Sequence, residues 1–275
     1  MMRSPSSLIR VLATTASVAT VAAAVALPAV ARAQADTRPI VAILSFDNNS
    51  IGAGRQDYDG IGKGIQETLI ADMAGNGKIR LVDRERVQRV LDEQHLSKAG
   101  SVDPATAVRL GKILGAQYAI YGGFMSDGRG NMVLTAHSTD METSALGNAM
   151  KVQRKTDDVL GLVDEMTAKL NAEIKLDAKP GRRVGDAGGA AEPVQSGAPA
   201  TKATPVETFA KPVSPKVMKT KLDVATMRIY SNALDEMDKK NTAKAAALFK
   251  QVLAKFPDFE PAQKNLEKLP GKTGN

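Results

Sequence analysis

The sequence from Ile79 to Phe124 carries a strand, two helices and a second strand, and it reads IRLVDRERVQRVLDEQHLSKAGSVDPATAVRLGKILGAQYAIYGGF. The apolar residues at 78–82 predict a short strand, after which Asp83 can cap a helix by accepting from free backbone N–H groups. Asp103-Pro104 predicts the start of the next helix, because proline at the first helical position loses no hydrogen bond. The apolar run at 117–125 predicts a buried strand.

The flanking sequence continues this alternation in both directions. Residues 39–46 form a continuous apolar run, which predicts a buried strand, and residues 60–75 predict a helix with one apolar face. Further along, 131–140 and 144–153 predict a hairpin, and 156–175 predict a last helix. The order β-α-β-α-α-β-β-β-α indicates the α/β class, with a mixed sheet flanked by helices. The apolar stripes are Ile61, Ile65, Leu69 and Met73 in the first helix, and Val159, Val163, Met166, Leu170 and Ile174 in the last.

The N-terminal residues 1–33 predict a secretory signal peptide. Arg3 and Arg10 precede an apolar run that leads to Ala31-Arg32-Ala33, an A-x-A cleavage signal. An uncleaved membrane anchor is disfavoured, because the apolar run is short for a span. We therefore expect export to the periplasm. The chain has no cysteine, so we expect any attachment to the envelope to use protein contacts, not a lipidated cysteine.

Three further segments follow the signal peptide. Residues 37–177 form the predicted α/β domain. Residues 178–222 are rich in Pro, Ala and Lys without apolar periodicity, which predicts a disordered linker. Residues 223–270 predict helices, and their small and aromatic residues follow the spacing of a tetratricopeptide-like repeat. One such repeat is short for a stable array, so it either packs on something else or is marginally stable alone. The residues that carry this spacing are Ala233, Ala245, Phe249 and Pro257.

The charge distribution argues against nucleic-acid binding. The net charge is +7, but the linker region 179–222 holds eight basic and three acidic residues. Without this region and the signal peptide, the chain contains 26 basic and 27 acidic residues. A near-neutral folded part without tryptophan offers neither a basic face nor stacking platforms for bases. The basic linker could contact anionic polymers weakly through its charge, and a solvated spacer is the alternative.

A cluster of glycines around Lys63, at the start of the predicted helix 60–75, raises the question of a phosphate site. Backbone N–H groups and the dipole at a helix N-terminus attract anions. However, a phosphate loop needs Gly at position 57 and Ser or Thr at 64, and the chain has Asp57 and Gly64. We therefore interpret the cluster as a loop entering a helix.

Other candidates for chemistry are weaker. Asp57 and Asp59 lack the further ligands of a calcium loop, and His95 and His137 are isolated from one another in the sequence. The charged residues of the helix after Asp83, among them Arg84, are interpreted as a solvated face. The sequence thus predicts a protein that is not an enzyme, with no catalytic, cofactor-binding or metal residues and no cofactor.

The sequence resembles the CsgG family, the curli production assembly/transport components. The resemblance lies in Asp83-Arg84 after a short strand, in Leu91 with Glu93-Gln94 at the end of the next helix, and in Leu110-Gly111 through Leu114-Gly115-Ala116 before a strand that ends in glycine. It covers about 37–177 and implies an exported bacterial protein with an α/β periplasmic domain. In this family the glycines before the first helix are structural.

The resemblance implies a role in the cell envelope and leaves several roles open. Pore-forming members are lipoproteins with long amphipathic hairpins, whereas this chain has no cysteine and a single weak hairpin. We therefore favour a non-enzymatic adaptor for assembly or protein interaction in the periplasm. Its partners would be envelope proteins, with self-association open. The alternatives are a subunit of an outer-membrane curli secretion channel and an accessory activator of a peptidoglycan synthase.

Overall fold

The computed structural model describes residues 36–52, 54–94, 104–147, 149–173 and 221–270. These residues all belong to one compact unit, Asp36–Asn275. The strands are β1 (Ile40–Asn48), β2 (Arg80–Leu81), β3 (Tyr118–Ser126), β4 (Asn131–Asp140) and β5 (Met150–Lys155). The helices are α1 (Ile61–Met73), α2 (Arg84–Glu93), α3 (Pro104–Leu114), α4 (Val159–Glu173), α5 (Val224–Asp238), α6 (Thr242–Lys255) and α7 (Glu260–Lys268), and a 3-10 turn lies at Arg55–Tyr58.

The five strands form one mixed sheet in the order β2-β1-β3-β4-β5. Strand β1 runs parallel to both β2 and β3, because helices connect these strands, whereas β3, β4 and β5 are antiparallel neighbours. The predicted α/β class, with a mixed sheet flanked by helices, is confirmed.

The predicted second strand of the hairpin, 144–153, is wrong in its position. The ladder between β4 and β5 begins where Ala136 pairs with Met150, and before it only an isolated bridge joins Thr139 to Leu146. The carboxylate of Asp140 accepts the backbone N–H groups of Glu142 and Thr143 at 2.8 and 3.1 Å. The turn that Asp140 stabilises takes up the residues directly after β4. Regular pairing with β5 therefore begins further along the chain than the apolar alternation predicts.

Helices α1 and α4 cover one face of the sheet. The main core lies between these two helices and the sheet. The predicted helix stripes are buried there, apart from Ile174, which lies outside the described residues. The core continues without a break into α5, α6 and α7, where Tyr230, Phe249 and Phe259 are almost completely buried. The C-terminal helices therefore share the core of the α/β part, although the predicted segment boundaries themselves stay predictions.

Helix α1 lies unusually close to β1. A Cβ atom added at Gly62 would lie 1.8 Å from the carbonyl oxygen of Phe46, well inside contact distance. Since that oxygen belongs to the backbone of a buried strand, it cannot move aside as a flexible side chain would. A glycine at this position lets helix and strand approach.

We expect Gly62→Ala to lower the free energy of unfolding by about 2–3 kcal/mol, because overpacking outweighs the gain of about 1 kcal/mol in helix propensity. Chemical denaturation of the purified protein measures this change. Gly77→Ala is the control, since nothing lies within 4 Å of the added Cβ and a change within about 0.5 kcal/mol is expected. Equal effects of the two substitutions would contradict the close approach of α1 to β1.

Candidate interaction surfaces

The glycine and lysine cluster at the start of α1 forms the docking site for helix α5. The backbone N–H of Gly64 donates to Ser231 Oγ at 2.9 Å. An added Cβ at Gly64 would lie 2.5 Å from that oxygen and 2.6 Å from Met227 Sδ. Gly60, which precedes the helix, has a left-handed φ of 82°, a conformation that glycine adopts without strain. Close packing of α1 and α5 thus accounts for Gly64, and the left-handed backbone accounts for Gly60.

Lys63 is engaged by carboxylates of α5. Its ammonium donates to Asp235 and, at 3.0 Å, to Oδ2 of Asp238. The lysine side chain is 17% exposed, so it lies at the edge of the interface and not in an open loop. The chain itself therefore supplies the anions that Lys63 binds.

Arg84 is the centre of this charged interface, and its prediction as part of a solvated face is wrong. Its side chain is 1% exposed, and its two terminal nitrogens donate to the two oxygens of Asp238 at 2.8 and 2.9 Å. Its Nε lies 3.3 Å from Glu67 Oε2. Burial acts to lower the pKa of Arg84, but the bonds from Asp238 and the charge of Glu67 outweigh it and raise the pKa. The guanidinium is therefore charged and paired.

A hydrogen-bond cluster around Asn265 completes the interface between α1, α5 and α7. The amide nitrogen of Asn265 lies 3.1 Å from Glu67 Oε1 and 3.1 Å from the hydroxyl of Tyr230. Tyr230 is completely buried, and this burial raises the pKa of its phenol, so the hydroxyl stays neutral. One sequence feature could have indicated this interface, because a glycine inside a helical pattern marks a close approach.

The second candidate surface lies on the face of the sheet opposite α1 and α4. It is the part of that face over β4 and β5. Helices α2 and α3 pack on this face, and their apolar side chains form a separate core cluster with β1 and Tyr121. Thr135 and His137 are partly exposed and Lys151 is exposed, and none of the three belongs to either core cluster of the described residues. We call this region, with Met125 at its edge, the open sheet face.

A shallow groove of about 430 Å³ crosses the open sheet face. The rings of Tyr121 and His137 stack along it, with centroids 5.6 Å apart and planes inclined by 22°. Asn49 also lines the groove, and its backbone N–H donates to Phe124 O at 2.8 Å. Met125 is 43% exposed. The groove therefore offers apolar and aromatic contact area, with Asp47 and Lys151 as charged groups on its lining.

The remaining sequence candidates are scattered. Asp57 lies in the 3-10 turn, 3.9 Å from Arg228 Nη1, and Asp59 accepts from Asn48 at 2.7 Å. His137 lines the groove, and His95 lies outside the described residues. In the described part of the chain, no three His, Asp or Glu side chains are placed to hold a metal ion.

None of the helices that the structure describes has both the length and the apolar character needed to cross a bilayer.

The fold and its surfaces define an α/β domain with a mixed sheet, extended by three C-terminal helices. The chain belongs to the CsgG family: the model of the curli production assembly/transport component CsgG matches residues 22–222. The match is wider than the predicted 37–177, and it ends just before α5. Helices α5, α6 and α7 are thus an extension beyond the matched region. No curated protein matches the chain significantly.

Several solved structures are similar to this chain at low identity. The C-terminal domain of LpoB from Salmonella enterica is 20% identical, with 42% of this chain and 82% of that chain covered and a TM-score of 0.33. Lipoprotein GNA1162 from Neisseria meningitidis is 13% identical, with 50% and 99% covered and a TM-score of 0.35. These TM-scores are too low to support an inference about fold or function.

Proposed function

We propose that the protein is a non-enzymatic component of the bacterial cell envelope that binds another envelope protein through the open sheet face. Membership of the CsgG family supports a role in assembly or transport. The observation that carries the proposal is the groove over β3 and β4, where Met125 is exposed and His137, stacked on the buried Tyr121, is partly exposed beside polar groups. Protein interfaces are enriched in such aromatic and methionine side chains.

The C-terminal helices have a different role in this proposal. We infer that they form a single tetratricopeptide-like hairpin that packs on α1 as part of the fold. This inference is supported by the complete burial of Ala233 and Ala245, because small residues let α5 and α6 approach closely. Helix α1 covers one face of the hairpin, so a partner protein cannot bind there. The open sheet face is available for such a partner.

We expect a photo-crosslinking residue at Thr135 to capture a specific protein in the native host. Thr135 lines the groove, and Glu93, an exposed residue on α2, is the matched control position. An adduct formed only from position 135, excised and identified by mass spectrometry, would support the proposal. No adduct, or the same adducts from both positions, would contradict it.

The identity of the captured protein separates the roles that the sequence left open. An assembly protein of the envelope would support the adaptor. Curli subunits or channel proteins would favour the secretion channel, and a peptidoglycan synthase would favour the accessory activator. An adduct with twice the mass of this chain would indicate self-association through the open sheet face.

A further inference from the structure

Two aspartates from different helices meet in the contact between α1 and α4. Asp72 lies in the last turn of α1, and its carboxyl group is within hydrogen-bonding reach of Asp164 in the second turn of α4. Oδ2 of Asp72 is buried, and no donor among the described residues reaches it. Two carboxyl groups in contact can form a hydrogen bond only if one of them carries a proton.

The groups around this pair do not neutralise it. Glu260, the first residue of α7, adds a third negative charge near Asp72, although Lys264 lies 2.7 Å from it. On α5, the phenol of Tyr230 interacts electrostatically with Asp72, and its raised pKa keeps it neutral. Behind Asp164, the negative charge of Asp158 opposes the positive charge of Arg154. Arg154 itself pairs with Asp158 and with Glu165 at 3.3 and 3.1 Å.

The position of Asp72 on its helix acts in the same direction. A helix C-terminus carries partial negative charge, which disfavours a carboxylate in the last turn. Within the described residues, neither aspartate forms a salt bridge with a lysine or arginine. One oxygen of Asp72 is thus buried, and no cation among the described residues pairs with it.

We propose that the Asp72–Asp164 pair makes the packing of α4 and α7 on α1 sensitive to pH. The pair holds these helices together while it shares one proton. It loosens their contact once both carboxyl groups are ionised and repel each other. The device concerns the helices on the core side of the sheet and is independent of the proposed partner surface.

The direction of the pH effect follows from the pKa of Asp72. Burial, and then the charges of Asp164 and Glu260, raise the pKa of Asp72 from 3.8 to about 7. The folded state therefore keeps a proton that the unfolded chain has already lost between these two values. Stability falls as the pH rises through this window, and the loss is complete above about 7.

The test is urea denaturation of the chain from Gln34 onward at several pH values between 5.5 and 8.5. We expect the unfolding equilibrium constant to rise at least about tenfold over this range. Each pH unit between 5.5 and 7 contributes up to about a factor of ten. In Asp72→Asn the rise should be less than about threefold, because the amide cannot ionise. This variant should also be more stable than the natural chain at pH 8.5.

Three further measurements complete the test. Glu93→Gln removes an exposed carboxylate on α2 and should keep the full pH dependence. If Asp72→Asn does not fold, Asp164→Asn should still reduce the pH dependence, because it removes one of the charges that raise the pKa of Asp72. Hydrogen exchange, corrected for its intrinsic pH dependence, should accelerate with pH in α4 and α7 and not in α2 and α3. A natural chain without pH dependence, an unchanged slope in the aspartate variants, or a uniform acceleration would overturn the proposal.

Discussion

Arg84→Met is expected to lower the free energy of unfolding by about 3–5 kcal/mol, the usual cost of removing one partner from a buried ion pair. The guanidinium is 1% exposed and is bound by both oxygens of Asp238. Methionine fills a similar volume, so packing changes little, but Asp238 and Glu67 lose their common cation. Both carboxylates are largely shielded from water, and Lys63 alone cannot neutralise them. Urea denaturation of the two proteins at pH 8 measures the difference.

The matched control is Arg89→Met on the same helix, since Arg89 is exposed. Its loss should change stability by no more than about 0.5 kcal/mol. A double variant with Asp238→Leu should lose less than the sum of the two single variants, because two residues in direct contact are coupled. If Arg84→Met and Arg89→Met behave alike, the bond between Arg84 and Asp238 contributes nothing to the native state.

The elements that the sequence predicted well are those whose periodicity is long and unbroken. Strand β1, helix α1 and helix α4 follow this rule, because burial of one face or of a whole strand leaves a repeating apolar pattern. The start of α3 at Pro104 follows from a local feature, because proline is favoured at the first position of a helix. The displacement of β5 shows the limit of such signals, since the turn held by Asp140 uses hydrogen bonds that apolar alternation does not encode.

The burial of Arg84 could not be predicted from its neighbours. Its pattern on α2 is that of an exposed charge, and its partner Asp238 is 154 positions away in the sequence. The intervening segment 178–222 is predicted to be a disordered linker, and the sequence alone does not indicate which surface the helices after it pack on. A buried charge needs a specific partner in space, and the open sheet face likewise depends on which strands α2 and α3 leave uncovered.

A chain that ends at residue 220 tests how strongly α5, α6 and α7 support the rest of the protein. We expect a loss of at least about 5 kcal/mol, because several apolar side chains of α1 lose their cover at about 1.5–3 kcal/mol each. For a protein of this size such a loss lowers the melting temperature by more than about 10 °C. Exposed apolar surface on α1 should also make the shortened chain prone to aggregation. Thermal unfolding followed by circular dichroism measures the effect.

The control chain ends at residue 270 and should melt at the temperature of the natural protein, since it keeps every helix that the structure describes. Adding a peptide of residues 221–270 to the shortened chain should restore part of the lost stability, in proportion to its concentration, because it binds the folded state. If the shortened chain melts at the natural temperature, the two parts are independent. In that case the contacts of Lys63 and Arg84 with α5 hold the C-terminal helices in place without stabilising the domain beneath them.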